Sequence, residues 1–305
     1  MVRSLVIGGN GFLGGPLVDA LVERGHDVTV FDRFRSPRNF DTRDATIVAG
    51  DFFDRSDLAA AVRGQDLVFH FLSTTAPATS ENDPSLDLRT NVGQTVELLG
   101  LCADAEIERF YFASTGGAIY GDQGLERYRE TDPALPRSPY AIGKLTIEHY
   151  LRYFRVKRGL DAVSLRISNP YGPGQHPGRR QGLIPIALAN IATGDAVVRY
   201  GDGSMVRDYL YIDDAIEMIA RIVDGDPAHS VYNIGSGVGH TVSEVLDAIA
   251  RVVGRPLDIA PLPVPSTFVE TVVLETARYR AEYGVPPTTP LERGIASTWE
   301  QLERR

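Results

Sequence analysis

The feature that most constrains this chain lies at its start. A short apolar run over residues 4–7 leads into Gly8-Gly9-Asn10-Gly11-Phe12-Leu13-Gly14, and a helical pattern follows over 16–24. Gly9, Gly11 and Gly14 spell G-x-G-x-x-G, and Gly8, Gly11 and Gly14 give the spacing G-x-x-G-x-x-G. Glycines permit the tight turn and let the backbone approach a pyrophosphate. The helix N-terminus then offers free N–H groups and the positive end of its dipole. A strand, a glycine turn and a helix in this order form the first unit of a parallel sheet. The rest of the chain must therefore supply more strands and the helices that cover them.

The sequence supplies both. Apolar strand candidates recur at 27–31, 46–48, 67–71, 110–113 and 160–167. Helical patterns over 56–62, 86–103 and 139–157 separate them, the last opened by Ser138-Pro139 and stopped by Gly159. The expected fold is α/β: a Rossmann-type doubly wound parallel sheet with a smaller C-terminal α/β lobe. A glycine- and proline-rich stretch from Asn169 to Arg180 marks the change of character. It predicts a dinucleotide domain over 1–168 and a substrate lobe over 169–305, with part of 211–236 returning to the first domain.

Composition excludes several classes. The 31 basic and 40 acidic residues leave a net charge of −9, which argues against a broad nucleic-acid footprint. A single cysteine, Cys102, forbids an intrachain disulfide or a Cys-rich zinc site, so no metal is expected. No apolar run approaches the roughly 18 residues of a membrane span, and the N-terminus lacks a signal-like apolar core. A soluble protein of the reducing cytoplasm is the expectation.

Asp32 ends the second strand, close to the ~20 residues beyond the glycine turn at which an acid bonds the adenine ribose hydroxyls. A carboxylate there repels a 2′-phosphate and favours NAD over NADP. Asp51 closes the third strand, where it can accept from the adenine amine with Phe52 beside the ring. Tyr140 and Lys144 are spaced i, i+4 in the first turns of the helix that Ser138 opens, and so share a face. A tyrosine of pKa about 10 is a poor base at neutral pH, and a neighbouring ammonium stabilises its phenolate.

These motifs, with the loop Ser114-Thr115-Gly116-Gly117-Ala118-Ile119-Tyr120-Gly121 and Asn91 in Thr-Asn-Val, resemble the extended short-chain dehydrogenase/reductases, specifically their UDP-galactose 4-epimerase group. Leu165-Arg166-x-x-Asn169-x-Tyr171-Gly172-Pro173, Tyr200-Gly201-Asp202-Gly203, Arg207-Asp208-Tyr209 with Asp213, and Tyr232-Asn233-Ile234-Gly235 extend the resemblance over nearly the whole chain. The resemblance implies a nucleotide-sugar 4-epimerase that oxidises C4 transiently with NAD. Hydride then returns to the opposite face of the 4-keto sugar. It implies Tyr140 as acid/base and Lys144 holding the nicotinamide ribose. It also implies NAD contacts from Gly8, Gly11, Phe12, Leu13, Gly14, Asp32, Asp51, Phe52, Phe71, Asn91, Tyr140 and Lys144. The nucleotide sugar, a UDP-hexose, falls to Asn169, Leu183, Arg207 and Tyr209. A homodimer through helices near 86–103 and 139–157 is implied too. Leu98, Leu99, Ile147 and Leu151 are candidates for that contact or for the sheet face.

The chain also departs from this pattern. Gly116 occupies the place of the usual catalytic Ser or Thr, leaving Thr115 or Ser114 to supply the hydroxyl. The Asp-Glu that follows that residue in 4,6-dehydratases is Gly117-Ala118 here, and the decarboxylases' Glu is absent as well. Pro265 and Phe268 stand where an Arg and an Asp hold diphosphate and ribose. Phe71-Leu72-Ser73-Thr74-Thr75-Ala76-Pro77 replaces a string of small residues, and Ile7 replaces a Thr. The alternatives are an NAD(H)-dependent reductase of a 4-keto nucleotide sugar or related carbonyl, and a non-enzymatic dinucleotide-binding module.

Overall fold

The computed structural model describes residues 1–75, 80–81, 83–175, 182–265 and 267–304; Ala76, Pro77 and the 176–180 part of the glycine- and proline-rich stretch lie outside them. Seven strands form the main sheet: β1 (Arg3–Ile7), β2 (Asp27–Asp32), β3 (Thr46–Ala49), β4 (Leu67–His70), β5 (Arg109–Thr115), β6 (Ala162–Ile167) and, much later, β10 (Val231–Ile234). They lie side by side in the order β3-β2-β1-β4-β5-β6-β10. The pairings of β1 with β2 and β4, of β2 with β3 and of β4 with β5 are parallel. The order reverses between β1 and β4, which is where a doubly wound sheet opens its ligand crevice.

The helices that cover these strands are α1 (Gly14–Glu23), α2 (Arg55–Val62), α3 (Pro84–Asp87), α4 (Gly93–Asp104) and α6 (Pro139–Arg158); a short α5 (Gly116–Ile119) follows β5. The stretch read as one helix over 86–103 is broken by a π-helical segment, Leu88–Val92, between α3 and α4. Strands and helices bury a common core of Leu5, Ile7, Phe31, Val68, Phe110 and Phe112. Leu98, Leu99, Ile147 and Leu151 belong to this core. Their apolar surface is thus already used within one chain.

By compactness the chain divides into two units. Unit 1 holds Met1–Thr115, Pro139–Arg166 and Ile219–Tyr232; unit 2 holds Gly116–Ser138, Ile167–Met218 and Asn233–Arg305. Unit 2 has its own small sheet. The strand β9 (Val206–Tyr211) pairs with β7 (Asn169–Tyr171), β11 (Gly239–Thr241) and β13 (Thr271–Val272), and β8 (Val197–Tyr200) pairs separately with β12 (Ile259–Leu262). Helices α7 (Leu183–Thr193), α9 (Val242–Val253) and α11 (Leu291–Glu303) pack together there, burying Ile184, Leu188, Ile249 and Ile295. Thr241 and Glu244 form a reciprocal capping box at the start of α9. The remaining helices are α8 (Ile212–Asp224) and α10 (Ala277–Tyr283).

Candidate active site

The glycine turn joins β1 to α1 in the expected place. Gly8 has φ +82°, a left-handed conformation that suits glycine. A Cβ on Gly14 would stand 2.2 Å from the Gly8 carbonyl oxygen, so α1 closes onto the turn only because Gly14 has no side chain. Gly15, which the spacing did not single out, is equally constrained: a Cβ there would lie 1.9 Å from the Asn39 carbonyl. Asn39 donates to the Gly11 carbonyl (2.9 Å), and Asn10 accepts from the Asn39 amide (2.9 Å). The two asparagines clasp the segment after β2 against the turn. No side chain caps α1, whose first residue follows Leu13. Its leading N–H groups therefore have no competing side-chain acceptor.

At the end of β2, the half-buried Asp32 accepts from the Asn10 amide (3.2 Å) and from the Arg33 amide (2.7 Å). Asp51 accepts from the Phe53 amide (3.0 Å). Phe52 is buried and turned into the core, with its ring stacked on His70 at 5.2 Å. Phe71 is half-buried just beyond β4.

The opening turns of α6 carry Tyr140 and Lys144. Lys144 is buried, donates to the Ala113 carbonyl (2.8 Å), and holds its ammonium 4.6 Å from the Phe112 ring centre and 5.7 Å from that of Tyr140. Burial lowers the Lys144 pKa to about 8, against the opposing pull of Asp87 and Glu148. The Tyr140 phenol is pushed up, first by burial and then by Asp87. In the chain alone these two effects outweigh the expected help from the ammonium, so the phenol is held protonated.

Ser114 and Thr115, at the end of β5, part company. Ser114 donates to Glu148 (2.6 Å), and Glu148 is bound by Arg166 through Nη2 (2.7 Å) and Nε (3.1 Å). Both ion-pair partners are buried. The Ser114 hydroxyl thus ties β5 to α6. Thr115 is buried, and its hydroxyl makes no hydrogen bond among the described residues.

A second cluster lies against the pair. Asp87, at the end of α3, accepts from the Thr75 hydroxyl and from Asn91 Nδ2 (2.7 Å). Asn91, in the π segment, also donates to Thr75 (2.8 Å) and accepts from the Thr74 amide (2.9 Å). π segments of this kind are frequent at functional sites.

In unit 2, Asn169 opens β7 and donates to the Asp208 carbonyl (3.2 Å). Its amide also lies 3.2 Å from where a Cβ on Gly117 would stand. Arg207, in β9, binds the carbonyls of Val206 (2.8 Å), Glu270 (3.1 Å) and Val269 (2.5 Å). It makes no ion pair with Asp208, whose buried carboxylate accepts instead from the Ser236, Gly237 and Leu274 amides. Burial lowers the pKa of this guanidinium. Tyr209 is buried beside it in sequence, its phenol pushed up to about 12 by burial. Leu183 opens α7 and is half-buried. Phe268 sets its ring edge-on to Tyr200 at 5.2 Å.

The sequence pattern of the NAD dependent epimerase/dehydratase family matches residues 4–235, more than half of the chain. The chain belongs to that family. It is 32% identical to the UDP-glucose 4-epimerase of Mycolicibacterium smegmatis, over 98% of both proteins. A structure of Thermus thermophilus UDP-glucose 4-epimerase in complex with NAD superposes with a TM-score of 0.92, at 35% identity and over 99% of each chain. A dTDP-glucose 4,6-dehydratase from Streptomyces venezuelae, with NAD bound, is as similar in shape: TM-score 0.92, 29% identity, 99% of this chain and 97% of that one.

This member of the NAD-dependent epimerase/dehydratase family is thus an enzyme with a Rossmann-like fold, and NAD is its cofactor. The residues fit that group. The uncapped N-terminus of α1 offers N–H donors to a pyrophosphate, and Asp32 offers a carboxylate to a ribose diol. Sequence reasoning missed Gly15, the Asn10–Asn39 clasp and Asp87. Only Gly15 carried a local signal, the Gly14-Gly15 pair. Among the described residues no helix is long and apolar enough to cross a membrane.

Proposed function

We propose that the chain is an NAD-dependent nucleotide-sugar 4-epimerase. The observation that carries this reading is the Tyr140–Lys144 pair on α6 combined with a β5–α5 junction that has no acid. The 4,6-dehydratases of the resemblance place Asp-Glu where this chain has Gly117-Ala118. Here a Cβ at 117 would already press on the Asn169 amide. Elimination lacks its proton donor, whereas epimerisation needs only a reversible acid/base.

Bound NAD supplies two-electron oxidation of a secondary alcohol and, in that form, a cationic ring. The chain's residues do the rest. Tyr140 takes the proton of the sugar 4-hydroxyl and later returns it. Lys144 favours the phenolate electrostatically. Thr115, whose hydroxyl has no partner among the described residues, accepts from or donates to the reacting oxygen. Arg207 presents a half-buried guanidinium, bonded by carbonyls and, among the described residues, by no carboxylate, to the diphosphate. Asn169 assists it.

The test uses purified protein with no added cofactor, incubated with UDP-glucose, UDP-N-acetylglucosamine or UDP-glucuronic acid. A 4-epimer should form from one of them, and Tyr140→Phe should lower turnover by about 10²-fold or more. Oxidation of added NADH in proportion to product would instead make the protein a reductase. Full turnover by Tyr140→Phe would remove Tyr140 from the chemistry.

A further inference from the structure

Asp87 is a buried carboxylate that the acid/base scheme does not use. It is 2% exposed. One oxygen accepts from Thr75 and Asn91. The other lies against the backbone of α6, where a Cβ on Gly143 would fall 1.7 Å from it. Gly143 sits between Tyr140 and Lys144 on the helix. The missing side chain at 143 is thus what lets an anion rest on the turn that joins the two. Among the described residues no cation bonds this carboxylate directly, and an uncompensated buried charge is expensive. The ammonium whose field reaches it is Lys144.

We propose that Asp87 is a positioning residue of the acid/base pair, its carboxylate fixing how many protons Tyr140 and Lys144 share. The proposal rests on the reading of Tyr140 as acid/base. The other ionisable groups around the pair are already committed. Glu148, on α6, is neutralised by Arg166 of β6. His70, on β4, is held neutral by burial and by the Lys144 charge. Asp87 and, after it, the Arg166-paired Glu148 oppose loss of the Lys144 proton, but Asp87 alone of the two also opposes ionisation of Tyr140. Both effects have the same sign. Without the carboxylate, both proton losses of the coupled pair move to lower pH.

The test is Asp87→Asn in the NAD-loaded enzyme. The two limbs of the pH profile of kcat/KM should both move down by about one pH unit. The tyrosinate absorbance of the holoenzyme, with Tyr140→Phe as reference, should rise at lower pH without any substrate. Asp87→Glu, which keeps the charge, should restore the limbs even where the rate stays low. Gly143→Ala displaces the carboxylate without neutralising it. It should shift the limbs in the same direction by less, and it decides the matter if Asp87→Asn does not fold. A folded Asp87→Asn with a lower rate but unmoved limbs and tyrosinate titration overturns the proposal while leaving Tyr140 in its role. An active Tyr140→Phe removes the reading beneath it.

Discussion

His70 shows what one buried side chain can do to the behaviour of the chain in acid. It is fully enclosed, stacked on Phe52 and bonded through Nε2 to the Thr95 hydroxyl (2.9 Å), while Nδ1 has no partner among the described residues. Burial, helped by the nearby Lys144 charge, lowers its pKa to about 3. The unfolded chain would take up a proton near pH 6.5, whereas the folded one refuses it until near pH 3. The stabilisation is therefore complete above about pH 6.5 and is lost as the pH falls through that window, at up to about 1.4 kcal/mol per pH unit. Thermal melts at pH 7.5 and pH 5 should show a larger drop in Tm for the wild type than for His70→Gln. Equal drops would mean that His70 does not govern the acid response. None of this was legible in the sequence. A histidine at the end of an apolar strand gives no sign of whether its second nitrogen finds a partner.

At the level of elements, legibility followed locality. The β1–turn–α1 unit was readable because its requirements are written in consecutive residues: an apolar run, glycines at fixed spacing, then a helical period. The start of α6 was readable for the same reason, through Ser138-Pro139 and a tyrosine four residues before a lysine. The π segment within 84–104 was not, because its residues fit a continuous helical pattern. Asp87 was invisible too, since its setting depends on a glycine at 143, on an element distant in the chain. The glycine turn allows a sharp prediction. Gly14→Ala places a methyl group where only 2.2 Å separates it from the Gly8 oxygen. The turn must open, and the purified variant should retain little or no NAD by mass spectrometry of the released cofactor, while the far-ultraviolet spectrum stays α/β. Retention at the wild-type level would show that the turn tolerates the shift.

At the scale of the whole molecule, the homodimer implied by the resemblance has to use residues other than those first singled out. Leu98, Leu99, Ile147 and Leu151 are spent on the core. The outer face of α6 instead carries Ile142, Tyr150, Tyr153 and Val156, all exposed, with Val156 at 81%. Their spacing places them on one stripe of the helix, and we propose this stripe as the association surface of that dimer. We expect the double substitution Tyr153→Asp, Val156→Asp to yield a monomer by sedimentation where the wild type sediments as a dimer. A wild-type monomer would refute this use of the stripe.

The division into two units has a consequence for how such a protein can change over time. The chain passes from one unit to the other five times, at 115/116, 138/139, 166/167, 218/219 and 232/233. A single recombination point in the gene therefore cannot exchange one unit for a foreign counterpart. A break after residue 168, for example, would strip the main sheet of β10 and hand it to the newcomer. The unit that carries Arg207 and Asn169 cannot be traded as a cassette. On the proposed reading, a new sugar must be acquired in place, by substitutions in segments such as 114–121 and 267–270, while the NAD-binding half stays fixed.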